Sequence, residues 1–159
     1  MSVKLVLYGS KHIDLMNFAY DDSGTIRNLQ PTSATSSTGV TVTAWMFGGD
    51  AADVMHGSNS TDAYYQESLC GMGAGDTIDG HPGDDYLYGD CPSDHGYTVP
   101  TGTSSGEADG ADTIDGGYGA DTIPGYADDD ILDGGSSFDV CKDYHGTNSF
   151  NQCEYIHPH

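Results

Sequence analysis

Between residues 109 and 141, in DGADTIDGGYGADTIPGYADDDILDGGSSFDVC, an aspartate falls at every ninth position: Asp112, Asp121, Asp130 and Asp139. Carried upstream, the interval meets Thr103, Asp94, Asp85 and Asp76; carried downstream it meets Asn148. Farther upstream, GGDAADVMH at 48–56 and GSNSTDAYY at 57–65 offer Asp53 and Asp62 before QESLC inserts five residues. Carboxylates with one amide supply only oxygen donors. That donor set suits a hard divalent cation, and calcium best, because it accepts six to eight oxygens in flexible geometry where magnesium demands a strict octahedron and keeps its waters.

A nine-residue interval positions such donors if about six residues make a turn and about three a short strand, so that each repeat carries the chain halfway round a coil. Residues two repeats apart then stack, and the acids sort into two columns on opposite edges. One expected column holds Asp53, Asp76, Asp94, Asp112, Asp130 and Asn148; the other holds Asp62, Asp85, Thr103, Asp121 and Asp139. Successive coils of a parallel sheet lie about 4.8 Å apart, so stacked carboxylates repel unless a cation lies between them. Counting the stacked pairs and leaving the Thr103 pairs empty gives about seven possible calcium ions, with affinity expected around 10⁻⁴–10⁻³ M. The eighth positions, Met55, Tyr64, Ile78, Leu87, Ile114, Ile123, Leu132, Cys141 and Phe150, form the expected apolar ladder inside.

The full frame is Gly-Gly-x-Gly-x-Asp-x-(large apolar)-x. GGYGADTIP at 116–124 fills every position and GHPGDDYLY at 80–88 comes close, whereas EADGADTID, GYADDDILD and GGSSFDVCK keep the aspartate and the apolar slot. Gly80, Gly83, Gly110, Gly116, Gly117 and Gly119 are the glycines expected to aim backbone carbonyls at the ions. Over roughly residues 48–151 this pattern resembles the RTX, or hemolysin-type, calcium-binding repeat family. The resemblance implies an all-β fold, a right-handed parallel β-roll (β-solenoid) of nonapeptide repeats. Residues 1–47, with VKLVLYG and VTVTAWMF reading as strands, are expected to form an N-terminal β cap led by Trp45 and Phe47 or an exchangeable strand, and 152–159 a C-terminal cap tail.

Composition narrows the function. Net charge is −21, from 25 acidic residues against four basic ones, and only Glu67, Glu107 and Glu154 among the acids are glutamates. Nucleic acids and anionic membranes are excluded as partners, since both need Lys and Arg to meet phosphate. No run of apolar residues is long enough for a transmembrane helix, and the N-terminus does not read as a signal peptide, which leaves the export route open. Cys70, Cys91, Cys141 and Cys153 are expected as two disulfides, Cys70 with Cys91 and Cys141 with Cys153, in an extracellular or cell-surface chain. His56, His81, His95 and His145 look scattered in the frame and argue against zinc, and no catalytic motif stands out, so the expectation is a non-enzyme. The leading reading is a structural or adhesive protein that folds on calcium and self-associates. The alternatives are an accessory module of a larger exported enzyme or toxin, and a calcium-dependent binder of extracellular polysaccharide.

Overall fold

The computed structural model describes residues 2–8, 15–17, 41–49, 52–57, 65–90, 110–142 and 144–157. Its strands are β1 (Ser2–Tyr8), β2 (Leu15–Asn17), β3 (Thr41–Gly49), β4 (Val54–His56), β5 (Tyr65–Met72), β6 (Thr77–Asp79) and β7 (Tyr86–Tyr88). The rest are β8 (Thr113–Asp115), β9 (Thr122–Pro124), β10 (Ile131–Asp133), β11 (Val140–Lys142), β12 (Ser149–Asn151) and β13 (Tyr155–His157). No helix occurs among the described residues.

From β6 to β12 each strand is the three-residue x-apolar-x unit of a repeat, bounded by Gly and Asp that favour turns over extended backbone. Its central side chain points inward and its neighbours outward. Odd-numbered strands pair in the order β1-β3-β5-β7-β9-β11-β13 and even-numbered ones from β2 to β12, all parallel. The chain therefore changes sheet at every repeat and advances one coil every second repeat: a parallel β-roll. Met46, Met55, Leu69, Ile78, Leu87, Ile114, Ile123, Leu132 and Cys141 fill the interior, with Phe150 and Cys153 half-buried against them.

Three departures from the sequence expectation concern register. The five-residue insertion shifts the repeat after Gly57, so Leu69 takes the core slot expected for Tyr64 and pairs with both Met46 and Leu87; Tyr64 itself lies outside the described residues. Next, β6 pairs directly with β8 (Ile78 with Ile114) and β7 with β9 (Tyr86 with Thr122), skipping one coil's worth of sequence. The N–H of Gly89 donates to the Pro124 carbonyl at 3.1 Å, so Gly89 begins the repeat that Gly110, Ala111 and Asp112 complete. Because the inserted stretch equals a whole coil, it leaves the ninefold phase intact and was invisible in it.

The third departure lies at the ends. β1 pairs with β3 (Ser2 with Thr41 through Tyr8 with Phe47), β3 pairs with β5, and β2 with β4. These are the first coils of the same two sheets; the expected boundary after residue 47 falls within β3, and no separate cap is present among the described residues. Met46 enters the core, while Phe47, beside Trp45, packs with Cys70, Met72 and Tyr88 in a second cluster. At the other end β13 pairs with β11 (Cys141 with Ile156), so residues expected as a tail add a strand. The expected Cys141–Cys153 disulfide is formed across a Cα–Cα distance of 5.9 Å. Cys70 is also disulfide-bonded, and its expected partner Cys91 lies outside the described residues.

Turn geometry explains the glycines. In 116–124, Gly117 has φ +96° and Gly119 φ +141°, and a Cβ on Gly119 would run into the Gly83 carbonyl. Where the second position is Met72, His81 or Tyr126, or the fourth Ala74, Asp128 or Ser137, the backbone stays left-handed, with φ from 67° to 114°. Such residues carry strain of about 1 kcal/mol or more each. Ser137, exposed at φ 114°, offers a test: Ser137→Gly is expected to raise stability by about 1 kcal/mol in urea denaturation of the calcium-loaded protein.

Candidate metal columns

Each sixth-position acid ends a turn immediately before its strand, and the roll stacks these acids coil upon coil. In the first column the Asp53 N–H donates to Asp76 Oδ1 (2.7 Å), Asp76 N–H to Asp112 Oδ1 (2.8 Å) and Asp112 N–H to Asp130 Oδ1 (2.9 Å). Asp130 N–H donates in turn to Asn148 Oδ1. In the second, Glu67 N–H donates to Asp85 Oδ1 (3.2 Å), Asp85 N–H to Asp121 Oδ1 (2.8 Å), Asp121 N–H to Asp139 Oδ1 (2.8 Å) and Asp139 N–H to Glu154 Oε2 (2.8 Å).

The predicted pairing of Asp112 with Asp130 and of Asp121 with Asp139 is thus present. Asp94 and Thr103 lie outside the described residues, and the columns run directly from Asp76 to Asp112 and from Asp85 to Asp121, which corrects the expected 76/94 and 94/112 pairs. Asp62 also lies outside the described residues, and Glu67, five positions on, occupies its place. Glu67 could have been found by adding the QESLC insertion to the frame. Glu154 follows Asp139 by 15 residues instead of 18, and no nonapeptide spacing points to it. A third residue missed is Asp90, buried after Gly89, whose charge bears on Asp112.

The ladder uses one oxygen of each carboxylate. The other, Oδ2 of Asp76, Asp85, Asp112, Asp121 and Asp139, is buried with no hydrogen-bond donor. Leaving such an atom unsatisfied costs on the order of 1–3 kcal/mol, more when ionised. These oxygens face the first-position glycines. A Cβ on Gly116 would lie 2.6 Å from Asp121 Oδ2 and 2.5 Å from the carbonyl oxygen of Gly134 on the next coil. On Gly80 it would lie 3.3 Å from Asp85 Oδ2 and 2.8 Å from the Gly116 carbonyl. Gly89 stands in the same relation to Asp112 Oδ2 and the Gly125 carbonyl, and Gly134 to Asp139 Oδ2 and the Gln152 carbonyl. First-position glycines therefore keep open a space bounded by a carboxylate and a carbonyl oxygen from successive coils, a donor set suited to calcium. Of the other expected glycines, Gly83 packs against the Asp85 carboxylate, Gly117 and Gly119 supply left-handed turns, and Gly110 lies on the Ala74–Gly75 backbone where the chain rejoins the roll.

Electrostatics agree. Burial pushes Asp112 up to about 9, with Asp90, Asp130 and Asp76 adding to the rise against an opposing backbone hydrogen bond. Burial, helped by the charges of Glu67 and Asp121, takes Asp85 to about 8, and burial takes Asp76 and Asp121 each to about 7. Asp139 is raised by burial as well. Without a cation, Asp112 and Asp85 are mostly protonated at neutral pH and Asp76 and Asp121 partly so.

Residues 71–90 and 108–141 match the family model of the RTX calcium-binding nonapeptide repeat, in four copies. These segments are RTX calcium-binding repeats. The match breaks over 91–107, within the stretch that the strand pairing skips, and it contains Asp76, Asp85, Asp112, Asp121, Asp130 and Asp139. No curated protein and no solved structure matches the chain. The RTX segments form a calcium-binding β-roll, to which Asp53, Glu67, Asn148 and Glu154 add column members outside the matched segments. Bound there, calcium would supply positive charge between carboxylates of adjacent coils, held by the free Oδ2 atoms and the turn carbonyls.

Two outcomes follow. Asp112→Ala removes the acceptor for the Asp76 N–H and one bare carboxylate oxygen, so equilibrium dialysis is expected to show a loss of about one to two calcium ions per chain, with the Asp121/Asp139 pair retained. The pH dependence follows from carboxylates whose folded values lie above their ordinary 3.8. Their contribution to the calcium-free fold is complete below about pH 4 and is lost as pH rises through 7 to 9. Circular dichroism of the calcium-stripped chain is expected to lose β-signal across that rise, and millimolar calcium to prevent the loss.

Proposed function

We propose that this chain is an extracellular structural or adhesive protein whose β-roll folds when calcium fills its carboxylate columns. The carrying observation is the set of buried Oδ2 atoms without hydrogen-bond donors, repeated on successive coils. A fold that leaves these atoms bare is disfavoured in a calcium-poor cytosol and favoured outside the cell. The Cys141–Cys153 disulfide suits the same oxidising compartment. Eight stacked pairs of column residues set an upper range of about eight ions, with Asp53/Asp76 and Glu67/Asp85 at one end and Asp130/Asn148 and Asp139/Glu154 at the other. The carboxylates serve structure in this reading and no catalytic role is assigned to them.

Self-association is supported by the sheet order, in which β1 and β2 end the two sheets on one side and β13 and β12 on the other. Parallel strands at both ends allow head-to-tail stacking without closure. A second reading, calcium-dependent binding of polysaccharide, draws on a row of near-parallel rings: Tyr86 to Tyr88 at 6.4 Å, Tyr88 to Tyr126 at 6.5 Å and Tyr126 to Tyr144 at 5.1 Å. A glycan array with and without calcium separates it from the first.

Calcium titration followed by circular dichroism and light scattering tests the main reading. Sheet signal is expected to rise between about 10⁻⁴ and 10⁻³ M calcium, with particle size growing after it, and EGTA to reverse both. A sheet signal indifferent to EGTA would overturn calcium-driven folding, and a strict monomer at high concentration would overturn assembly.

A further inference from the structure

On the outer side of the six-stranded sheet, the ninth position of each repeat forms a row of its own: His56, Asp79, Asp115, Asp133 and Asn151 stand in register on β4, β6, β8, β10 and β12. The row is acidic in the middle, so that burial, then the Asp79 and Asp133 charges, raise Asp115. At its N-terminal end it gains a second imidazole. His81, two residues past Asp79, has φ +68°, and its N–H donates to Asp79 Oδ1 at 3.0 Å. This left-handed turn brings His81 back beside β4, with its ring centroid 5.7 Å from that of His56.

Both rings turn Nδ1 toward the same carboxylate: His56 Nδ1 lies 3.7 Å from Asp79 Oδ2, and His81 Nδ1 lies 3.6 Å from Asp79 Oδ1. These separations are too long for hydrogen bonds. One ligand atom from each of the three residues lies within 4.8 Å of the others. Ligands held about 2.0–2.1 Å from a tetrahedral ion stand about 3.4 Å apart, which small rotamer changes would reach from here. All three side chains are half-buried, at 28–34% exposure, so the backbone fixes their positions while an ion can still enter. In sequence the two histidines look unrelated, since one belongs to a strand end and the other to a turn.

We propose that His56, Asp79 and His81 form a transition-metal site, distinct from the calcium columns, that binds Zn2+ and leaves one coordination position open. Two imidazole nitrogens with one carboxylate oxygen favour zinc, nickel or copper over calcium, which prefers oxygen alone. The neighbouring Asp115 and Asp133 add negative potential that draws a cation to this end of the row. Three protein ligands leave room for water or a donor from another molecule, as at open zinc sites.

The test is zinc titration of the full chain in saturating calcium, by calorimetry and by the visible absorption of Co2+ as a substitute. The wild type is expected to bind one ion, and His81→Asn, which keeps a residue tolerant of the left-handed backbone, to weaken it at least tenfold with calcium-dependent circular dichroism unchanged. His56→Gln, on a strand with ordinary backbone, gives the same result if His81→Asn disturbs folding. His145→Asn, outside the cluster, leaves zinc affinity as it was. Equal zinc affinity in the wild type and both cluster variants would overturn the site, as would the absence of zinc binding or its abolition by calcium.

Discussion

Negative charge stacked at the spacing of a parallel sheet is the constraint on which this molecule depends. Two carboxylates one coil apart, at about 4.8 Å, repel by roughly 3–4 kcal/mol at an effective dielectric constant of about 20. Each repeat contributes one apolar side chain to the interior, and burying it is worth about 1.5–3 kcal/mol. One core residue per repeat and one repulsive contact per repeat are therefore of similar size. Backbone ordering then has no surplus to oppose it, and the outcome turns on whether a cation or a proton occupies the space between acids. The hydrogen-bond ladder sharpens this condition: by engaging Oδ1 with the N–H of the preceding coil, it fixes where the unused Oδ2 must sit.

Glycine positions divide by the same geometry. First-position residues such as Gly116 and Gly134 are small because a Cβ would occupy the space between carboxylate and carbonyl. Gly117 and Gly119 are glycines because of φ. The two requirements differ in their tolerance. A turn that needs φ > 0 accepts His81 or Tyr126 at the cost of strain, whereas filling the first position removes the space itself. Gly89 shows the distinction: separated by a whole coil of sequence from Gly110 and Asp112, it is still the residue that faces Asp112 Oδ2.

The sequence made the roll, the two columns and most of the core legible because all three follow a single period, and stacking depends on period alone. What it hid were the places where length changed. An insertion of one whole coil preserves phase, so Asp94 and Thr103 looked like column members although Asp76 stacks on Asp112. A five-residue insertion changes phase, and Glu67 with Leu69 replaced Asp62 with Tyr64. Glu154 was hidden by type as well as spacing, since the frame asks for aspartate. Both ends of the second column are glutamates: Glu67 keeps the 18-residue interval to Asp85, whereas Glu154 follows Asp139 by only 15. At Glu154 the extra methylene lets a carboxylate reach the column from a backbone three residues short of the regular interval.

The N-terminal coils solve the stability problem differently. The pairing register sets Ala44 beside Glu67 and Leu5 beside Ala44, so among the described residues no acid stands beyond Glu67 in the second column. There β1 and β3 run seven and nine residues instead of three, so these coils are joined by longer stretches of strand pairing. At the opposite end the Cys141–Cys153 bond ties a core residue to the segment before β13, where the last column residue is also found. In a solenoid each coil is supported only by its neighbours. The carboxylate columns therefore run between one end secured by long parallel strands and another secured by a covalent link, so the coils with the fewest other supports are those in the middle.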